Sequence, residues 1–394
     1  MDFHERARVA SFSPMILPKP CGWEHDEIFI AMRKQIHLWP LLALCLTVAL
    51  SFLSCEKPDD PHPTPTPVDP TEAAASGVYV LCEGLMDYNN TTLAFYNFEN
   101  GTLDPDLFLT VNGRGLGDTG NDLKAYGGKL YCVVNVSETV EIMNLATARS
   151  LKQLSLSGKQ PRRIAFADGY AYVCCFNGDV VKIDTATMEV TATAQAGSNP
   201  DGICTANGKL YVANSGGLNY PNYGNTVSVF DLATFTHIKE IPVVINPTRM
   251  AADSQGDVYL VSNGNYGSVP MTFQRIDSQT DEVVQTFDFA VTNFAICDNL
   301  CYFYHYDYGT EQCSVKVLDV MTEQIVNEHF ITDGTDLRTP YGIAVNPENG
   351  DVYLTDAYQY TTNGDVYCFG SNGQKKFQFE AGLNPNNIIF LKAN

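Results

Sequence analysis

Seven stretches of the sequence carry the same short signature, and their spacing restricts the fold more than any other feature. They are Asp122-Leu123-Lys124-Ala125, Arg163-Ile164-Ala165-Phe166, Gly202-Ile203-Cys204, Arg249-Met250-Ala251, Asn293-Phe294-Ala295, Gly342-Ile343-Ala344 and Asn387-Ile388-Ile389. With the apolar residue as marker, successive signatures lie 41, 39, 47, 44, 49 and 45 residues apart. Pro161, Pro200, Pro247, Pro340 and Pro385 each stand three residues before a marker. A period in the forties, with several short strands in each unit, is the mark of a propeller blade.

Each unit continues alike. After the signature strand, strand A, a turn leads to a strand B such as Lys129-Leu130-Tyr131-Cys132-Val133, Lys209-Leu210-Tyr211-Val212, Asp257-Val258-Tyr259-Leu260 or Asp351-Val352-Tyr353-Leu354. A loop of variable length leads to strand C, as in Val180-Val181-Lys182-Ile183, Val227-Ser228-Val229-Phe230 and Val315-Lys316-Val317-Leu318. Strand C alternates with period two, which predicts one buried face. An Asp-x-x-Thr then recurs at Asp184/Thr187, Asp231/Thr234, Asp277/Thr280 and Asp319/Thr322. Recurrence at the same place in successive units favours a turn capped by the Asp side chain over a set of metal carboxylates. No helical period appears beyond the N-terminal apolar run. Gly77-Val78-Tyr79-Val80 reads as a strand B, and Asn386-Asn387-Ile388-Ile389-Phe390 as a strand A. The ends therefore hold complementary parts of one unit. The expected fold is all-β: a seven-bladed β-propeller with four-stranded blades, closed by pairing of the C-terminal strand into the N-terminal blade.

The first 76 residues read differently. Arg33 and Lys34 precede an uncharged, mostly apolar run from Leu38 to Phe52, closed by Ser54-Cys55. That is the layout of a secretory signal and is short for a membrane span. Residues 1–31 carry Glu24, Asp26 and Glu27 where a signal wants cations, so they read as a mis-called extension, with the signal at 32–54. Cys55 resembles the lipidated cysteine of a bacterial lipobox, although Phe52 stands where Leu is usual. Residues 55–76 are an acidic, Pro-rich stalk, with Glu56-Lys57-Pro58-Asp59-Asp60 resembling the export tag of surface lipoproteins in gut anaerobes. The expectation is attachment to the outer membrane at the cell surface by lipid alone, with the periplasmic face as the alternative. The propeller occupies 77–394.

Charge and cysteine content narrow the function. Asp and Glu outnumber Lys and Arg by 45 to 24, a formal charge of −21, which argues against nucleic acid as a partner. From Cys82 to Cys368 nine cysteines sit mostly within strands, next to aromatic or β-branched residues, and fit buried apolar positions better than a disulfide framework. Cys297 and Cys301 flank a tight turn, the one place where a bridge is plausible.

In a propeller the D–A and B–C loops share the face around the channel mouth. Here the B–C loops hold Tyr88; Tyr220 and Tyr223; Asn263, Asn265 and Tyr266; Tyr306 and Tyr308, flanked by His305 and Asp307; and Tyr358 and Tyr360. Tyr rings on a rim give broad contact and a hydroxyl at low entropic cost, which suits a large neutral ligand bearing amides or hydroxyls. Packing between blades is the alternative role for the same rings. The D–A loops add Arg162, Arg163, Arg249 and Arg338, which suit a phosphate or carboxylate, or pair with Asp118, Asp122 or Asp201 to tie blades together. Glu83, Asn135, Asn214 and Asp356 end B strands and are the candidates for a metal-dependent hydrolase of the lactonase kind. With no nucleophile elbow, phosphate loop or shared histidine motif, an enzyme is the lesser expectation, and no cofactor or metal is expected.

The stretch from Pro200-Asp201-Gly202-Ile203 through Tyr211-Val212-Ala213-Asn214 to Val227-Ser228-Val229-Phe230-Asp231 resembles the YVTN/YncE-like propeller repeat. Glu83-Gly84, residues 90–96 and Asn346-Pro347-Glu348-Asn349-Gly350-Asp351-Val352-Tyr353 resemble the surface lipoprotein propellers of gut anaerobes, DUF5074-like and of the cobalamin-capture type. The resemblance spans 77–394. It implies a monomeric surface propeller that binds a corrinoid and passes it to a TonB-dependent transporter. An adhesin or scaffold for a glycan or protein is the second expectation, and a propeller hydrolase the third.

Overall fold

The computed structural model describes residues 76–392; the extension 1–31, the signal 32–54, Cys55 and the stalk to residue 75 lie outside the described residues. Seven four-stranded antiparallel sheets follow one another around an axis. Blade 1 is shared between the two ends of the chain: strand A is Pro385–Leu391, and B, C and D are Gly77–Cys82, Thr92–Asn97 and Leu103–Asp104. Blades 2 to 7 are continuous, with A strands Gly120–Tyr126, Pro161–Ala167, Pro200–Ala206, Pro247–Ala252, Asn293–Cys297 and Pro340–Val345. Their B strands are Lys129–Val134, Tyr170–Cys175, Lys209–Asn214, Val258–Ser262, Leu300–Asp307 and Val352–Asp356. Every signature of the repeat falls on an A strand. The two ends pair as expected, with Tyr79 opposite Ile389 and Val80 opposite Ile388.

The core is not one cluster but seven, each between two successive blades, and the last joins blade 7 to blade 1 through Tyr353, Val366, Phe379, Val78, Val80 and Ile388. This corrects the reading of strand C. Thr226–Asp231 of blade 4 is buried at four successive residues, because a blade inside a ring has a neighbour on each face. The exposed alternation belongs to strand D, as in Glu282–Thr286 of blade 5. Strand D is an open edge, and in blades 2 to 7 a register shift interrupts its pairing with strand C, which blunts it as a template for another chain.

Local chemistry agrees with the repeat. The Asp of each Asp-x-x-Thr caps its own turn: Asp184 Oδ1 accepts from the Ala186 and Thr187 amides at 2.8 Å, and Asp319 Oδ1 from those of Met321 and Thr322 at 2.9 Å. The nine cysteines of the described residues are free, Cys297 and Cys301 included. One element escaped the sequence reading. Between strand D of blade 1 and strand A of blade 2, Leu107–Asn112 form a helix capped by Asp106, whose side chain accepts from the Leu109 amide at 3.2 Å. Gly113 ends it at φ 67°, and Phe108 is buried beneath. Fewer than two turns show no period.

A tyrosine recurs at one place in every strand B: Tyr79, Tyr131, Tyr172, Tyr211, Tyr259, Tyr302 and Tyr353, all buried. Several of their hydroxyls reach the C–D turn of the next blade. Tyr79 donates to the Leu145 carbonyl at 2.9 Å, and Tyr211 to Asp281 at 2.6 Å. Lys209 joins the second strap, with 2.8 Å to both Asp281 oxygens. The Tyr131 hydroxyl, by contrast, is buried without a partner among the described residues.

Two outcomes are expected. Deleting residues 385–394 leaves blade 1 open on its inner side and should abolish single-step cooperative unfolding; a truncated chain that melts like the intact one would refute closure as the basis of stability. Tyr211→Phe removes a hydrogen bond to the Asp281 carboxylate and should lose about 1–3 kcal/mol in denaturant titration, whereas Tyr131→Phe should be neutral or stabilising. Equal losses would show that the straps contribute nothing.

Candidate functional site

The site originates in how strand A enters the channel. In blades 2, 3, 4, 5 and 7 the A–B pairing shifts register between the first residue of strand A and the marker: Pro161 faces Cys175 while Arg163 faces Cys174, and Pro340 faces Asp356 while Ile343 faces Leu354. Strand A of blade 1 shifts likewise against strand B. A bulge bends the strand and re-aims a side chain. The residue after the recurring Pro is in this way turned to the channel. In chain order these are Asn121 (after Gly120), Arg162, Asp201, Thr248, Tyr341 and Asn386, and all six line one cavity of about 410 Å³. Backbones crowd here: a Cβ on Gly202 would lie 2.0 Å from the Thr248 carbonyl oxygen, and one on Gly342 2.3 Å from that of Asn386.

These residues form a polar belt that passes from blade to blade. Tyr304 of blade 6 donates to the Tyr341 carbonyl of blade 7 at 2.9 Å, and the Tyr341 hydroxyl donates to Glu83 of blade 1 at 2.5 Å. Glu83 also accepts from Asn386 at 3.3 Å and from Asn121 of blade 2 at 3.0 Å. Arg162 of blade 3 donates to Asn121 and lies 4.4 Å above the Phe176 ring. Arg162 and Arg163 then share Asp201 of blade 4, at 3.5 and 3.2 Å. Burial raises the Glu83 carboxyl, partly countered by the Tyr341 hydrogen bond. Burial acts upward on Asp201 too, but its arginines outweigh it and hold the carboxyl low. Thus two of the arginines do tie blades together. Arg249 does not: it makes no hydrogen bond or ion pair among the described residues, and burial followed by the field of Arg163 lowers its guanidinium.

Above the belt stand the loop residues. Tyr223, Asn263, Tyr266, Tyr306, Tyr308 and Tyr360 line the same cavity, as does Arg249. Tyr223 packs edge-on against Tyr266 at 6.1 Å between ring centres, and its hydroxyl is buried without a partner among the described residues. Tyr266 accepts from Asn246 at 3.2 Å. The Tyr308 and Tyr360 hydroxyls bond to each other, and burial pushes Tyr308 up to about 12. Tyr306 departs from the expected rim position, because strand B of blade 6 runs on to Asp307; it is only 7% exposed and its hydroxyl bonds Thr339.

The other expected residues stand off the cavity. Tyr88 and Tyr220 are 70% and 62% exposed on the rim. Asn265 organises its own loop, accepting from the Gly267 and Val269 amides at 3.1 and 2.8 Å. Tyr358 is held by Asp365 and Tyr367 of its own blade. Arg338 is exposed, with its backbone amide on Asp356. Asn135, Asn214 and Asp356 do not converge with Glu83. Asn135 donates to the Pro161 carbonyl at 2.9 Å, Asn214 accepts from the Gly197 amide at 2.9 Å, and Asp356 caps Thr339 at 2.9 Å. Among the described residues no three His, Cys, Asp or Glu side chains are grouped to hold a metal. Sequence reasoning missed Glu83, Asn121, Tyr341 and Asn386 as neighbours in one site; the position just after the recurring Pro was the signal for Tyr341 and Asn386.

The sequence profile described as Domain of unknown function (DUF5074) matches residues 76–390. The chain belongs to this family. No curated protein matches it in sequence. Among solved structures it is similar to a quinonprotein alcohol dehydrogenase-like protein from Bacteroides thetaiotaomicron, with a TM-score of 0.62 and 15% identity, covering 81% of this chain and 79% of that one. It is also similar to Kuenenia stuttgartiensis hydrazine synthase (TM-score 0.51, 16% identity, 61% of this chain and 73% of that one). A computationally designed protein, Ika8, gives a TM-score of 0.51 at 16% identity, over 80% of this chain and 90% of that one. At such identities the likeness is one of fold, and this DUF5074 member's function has to be read from its own site.

Proposed function

We propose that this protein is a surface capture module: it binds a large nutrient ligand, a corrinoid such as vitamin B12, across the channel mouth and passes it to a TonB-dependent outer-membrane transporter. The observation that supports this is convergence. Tyr223, Tyr266, Tyr308 and Tyr360 come from four successive blades, 4 to 7, onto one cavity. Tyr266 and Tyr308 remain 36% and 37% exposed, so a ligand wider than the cavity could rest on their rings while one part enters the funnel. Rigid aromatic contacts with few convergent polar groups are what ligand sites use. The commitment of Asn135, Asn214 and Asp356 to separate local bonds favours binding over hydrolysis. Tyr88 and Tyr220, exposed on the same rim but off the cavity, offer a surface for the transporter. A lipid on Cys55, followed by the Pro-rich stalk, would hold the propeller at the membrane.

Titration of the purified protein against corrinoids and glycans tests the reading. Tyr223→Ala and Tyr266→Ala should each weaken corrinoid binding by on the order of thirtyfold, about 2 kcal/mol, with little change in melting temperature. Tyr358→Ala, which unties Asp365, should lower the melting temperature and leave affinity intact. Wild-type affinity for every corrinoid in both cavity mutants would exclude this site; glycan binding alone would replace capture with adhesion. For the anchor, Cys55→Ala should move the protein from the membrane fraction to the soluble fraction, and retention of the mutant would count against lipidation.

A further inference from the structure

The polar belt runs from blade 6 through blades 7, 1, 2 and 3 to blade 4, and it is broken at blade 5. Arg249 stands in the break. Its place is equivalent to that of Arg163, two residues after the recurring Pro. Arg163 pairs with Asp201, the first bulge residue of the next blade. The corresponding residue next to Arg249 is Thr292, which carries no charge and whose hydroxyl already accepts from the Tyr306 amide at 3.0 Å. Asp201, whose field also reaches Arg249, is shared by two other arginines. The same cavity is lined by two further uncommitted groups: Tyr223, whose buried hydroxyl has no partner among the described residues, and Asn263, which makes no side-chain hydrogen bond among them.

We propose that Arg249, with Tyr223 and Asn263, forms an oxyanion subsite on the blade 4 and blade 5 side of the cavity that takes a phosphate diester or carboxylate carried by the ligand. A guanidinium in a half-buried channel is costly without a counter-charge, and an entering oxyanion supplies it through charge-assisted hydrogen bonds. The anion completes the belt at the one blade where the protein leaves it open. This inference deepens the capture reading and rests on it for the identity of the ligand. A corrinoid with its nucleotide loop carries one phosphodiester; cobinamide, which lacks the loop, does not.

The experiment is calorimetric titration of the wild-type protein, Arg249→Gln and Arg249→Lys with cyanocobalamin, dicyanocobinamide and inorganic phosphate, together with their melting temperatures. Arg249→Gln should weaken cobalamin about tenfold or more, leave cobinamide unchanged and lose phosphate binding, with a melting temperature equal to or above wild type. Arg249→Lys should regain much of the phosphate affinity. Unchanged cobalamin affinity in Arg249→Gln, or an equal loss for both corrinoids, overturns the subsite and leaves capture standing. Phosphate binding that depends on Arg249, in a protein that binds neither corrinoid, keeps the subsite and overturns the corrinoid. Absence of phosphate binding in the wild type, or a clear fall in melting temperature or failure to fold in Arg249→Gln, shows Arg249 to be structural and ends the proposal.

Discussion

Each blade of this protein buries its faces only against the blades beside it, so everything else depends on closing the ring. Tyr131, Val133 and Ile142 of blade 2 lose contact with water through Ile164, Val173 and Ile183 of blade 3, and the same holds around the circle. A chain that stopped short of Pro385 would take Ile388 out of the cluster around Val78 and Val80 and leave Gly77–Cys82 with an unpaired row of backbone groups. Sharing blade 1 between the two ends makes the last contact depend on the whole chain. The strand B tyrosines reinforce the same interfaces with polar contacts, since a hydroxyl reaching the next blade's turn has direction where apolar packing has none.

Closure also sets the chemistry of the channel. Strands converging on an axis crowd one another, as Gly202 and Gly342 show, and six of the seven A strands shift register as they enter. The bulge after the first residue relieves that crowding by letting two residues oppose one, and the freed side chain turns to the axis. Groups placed there face one another in a half-enclosed space. Charges and amides pair in a chain from Tyr304 to Asp201, because a polar group without a partner at that depth is expensive. The same bulge that makes the ring geometrically tolerable fills its centre with functional groups.

Much of this was legible as period. The markers, the Pro three residues before them and the complementary ends follow from repetition alone, and the Asp-x-x-Thr turns from recurrence joined to simple capping chemistry. Strand C was misread because period-two reasoning assumes a sheet with one wet face, and Ser228, facing another blade, is as buried as Val229. The helix at Leu107–Asn112 was hidden by its length. At the site, the loop tyrosines were legible as a class, since their loops give them no obligatory core role. Which of them enter the cavity was not: Tyr358 and Tyr360 lie two residues apart, and only the position of Asp365 assigns the first to its own blade. Glu83, Asn121 and Tyr341 were not legible as partners, because they lie in three different repeats and meet only when the ring closes.

Several energetic costs of this structure meet at the cavity. Tyr266 and Tyr360 hold φ of 56° and 62°, a region that bulky residues rarely adopt. The Tyr223 hydroxyl is buried without a partner, the Glu83 carboxyl is raised by burial, and Arg249 lacks a counter-ion among the described residues. All five line the one cavity. The interfaces between blades carry most of the apolar burial, and a ring of seven of them can tolerate local strain that a small single core could not. Groups fixed in a crowded, bulged wall are pre-organised, which lowers the ordering cost of any contact made there. Left-handed residues and unpaired buried groups occur all round the ring, Tyr131 at a blade interface among them, so what sets this cavity apart is the meeting there of an aromatic wall, a buried carboxyl and a guanidinium with no counter-ion among the described residues.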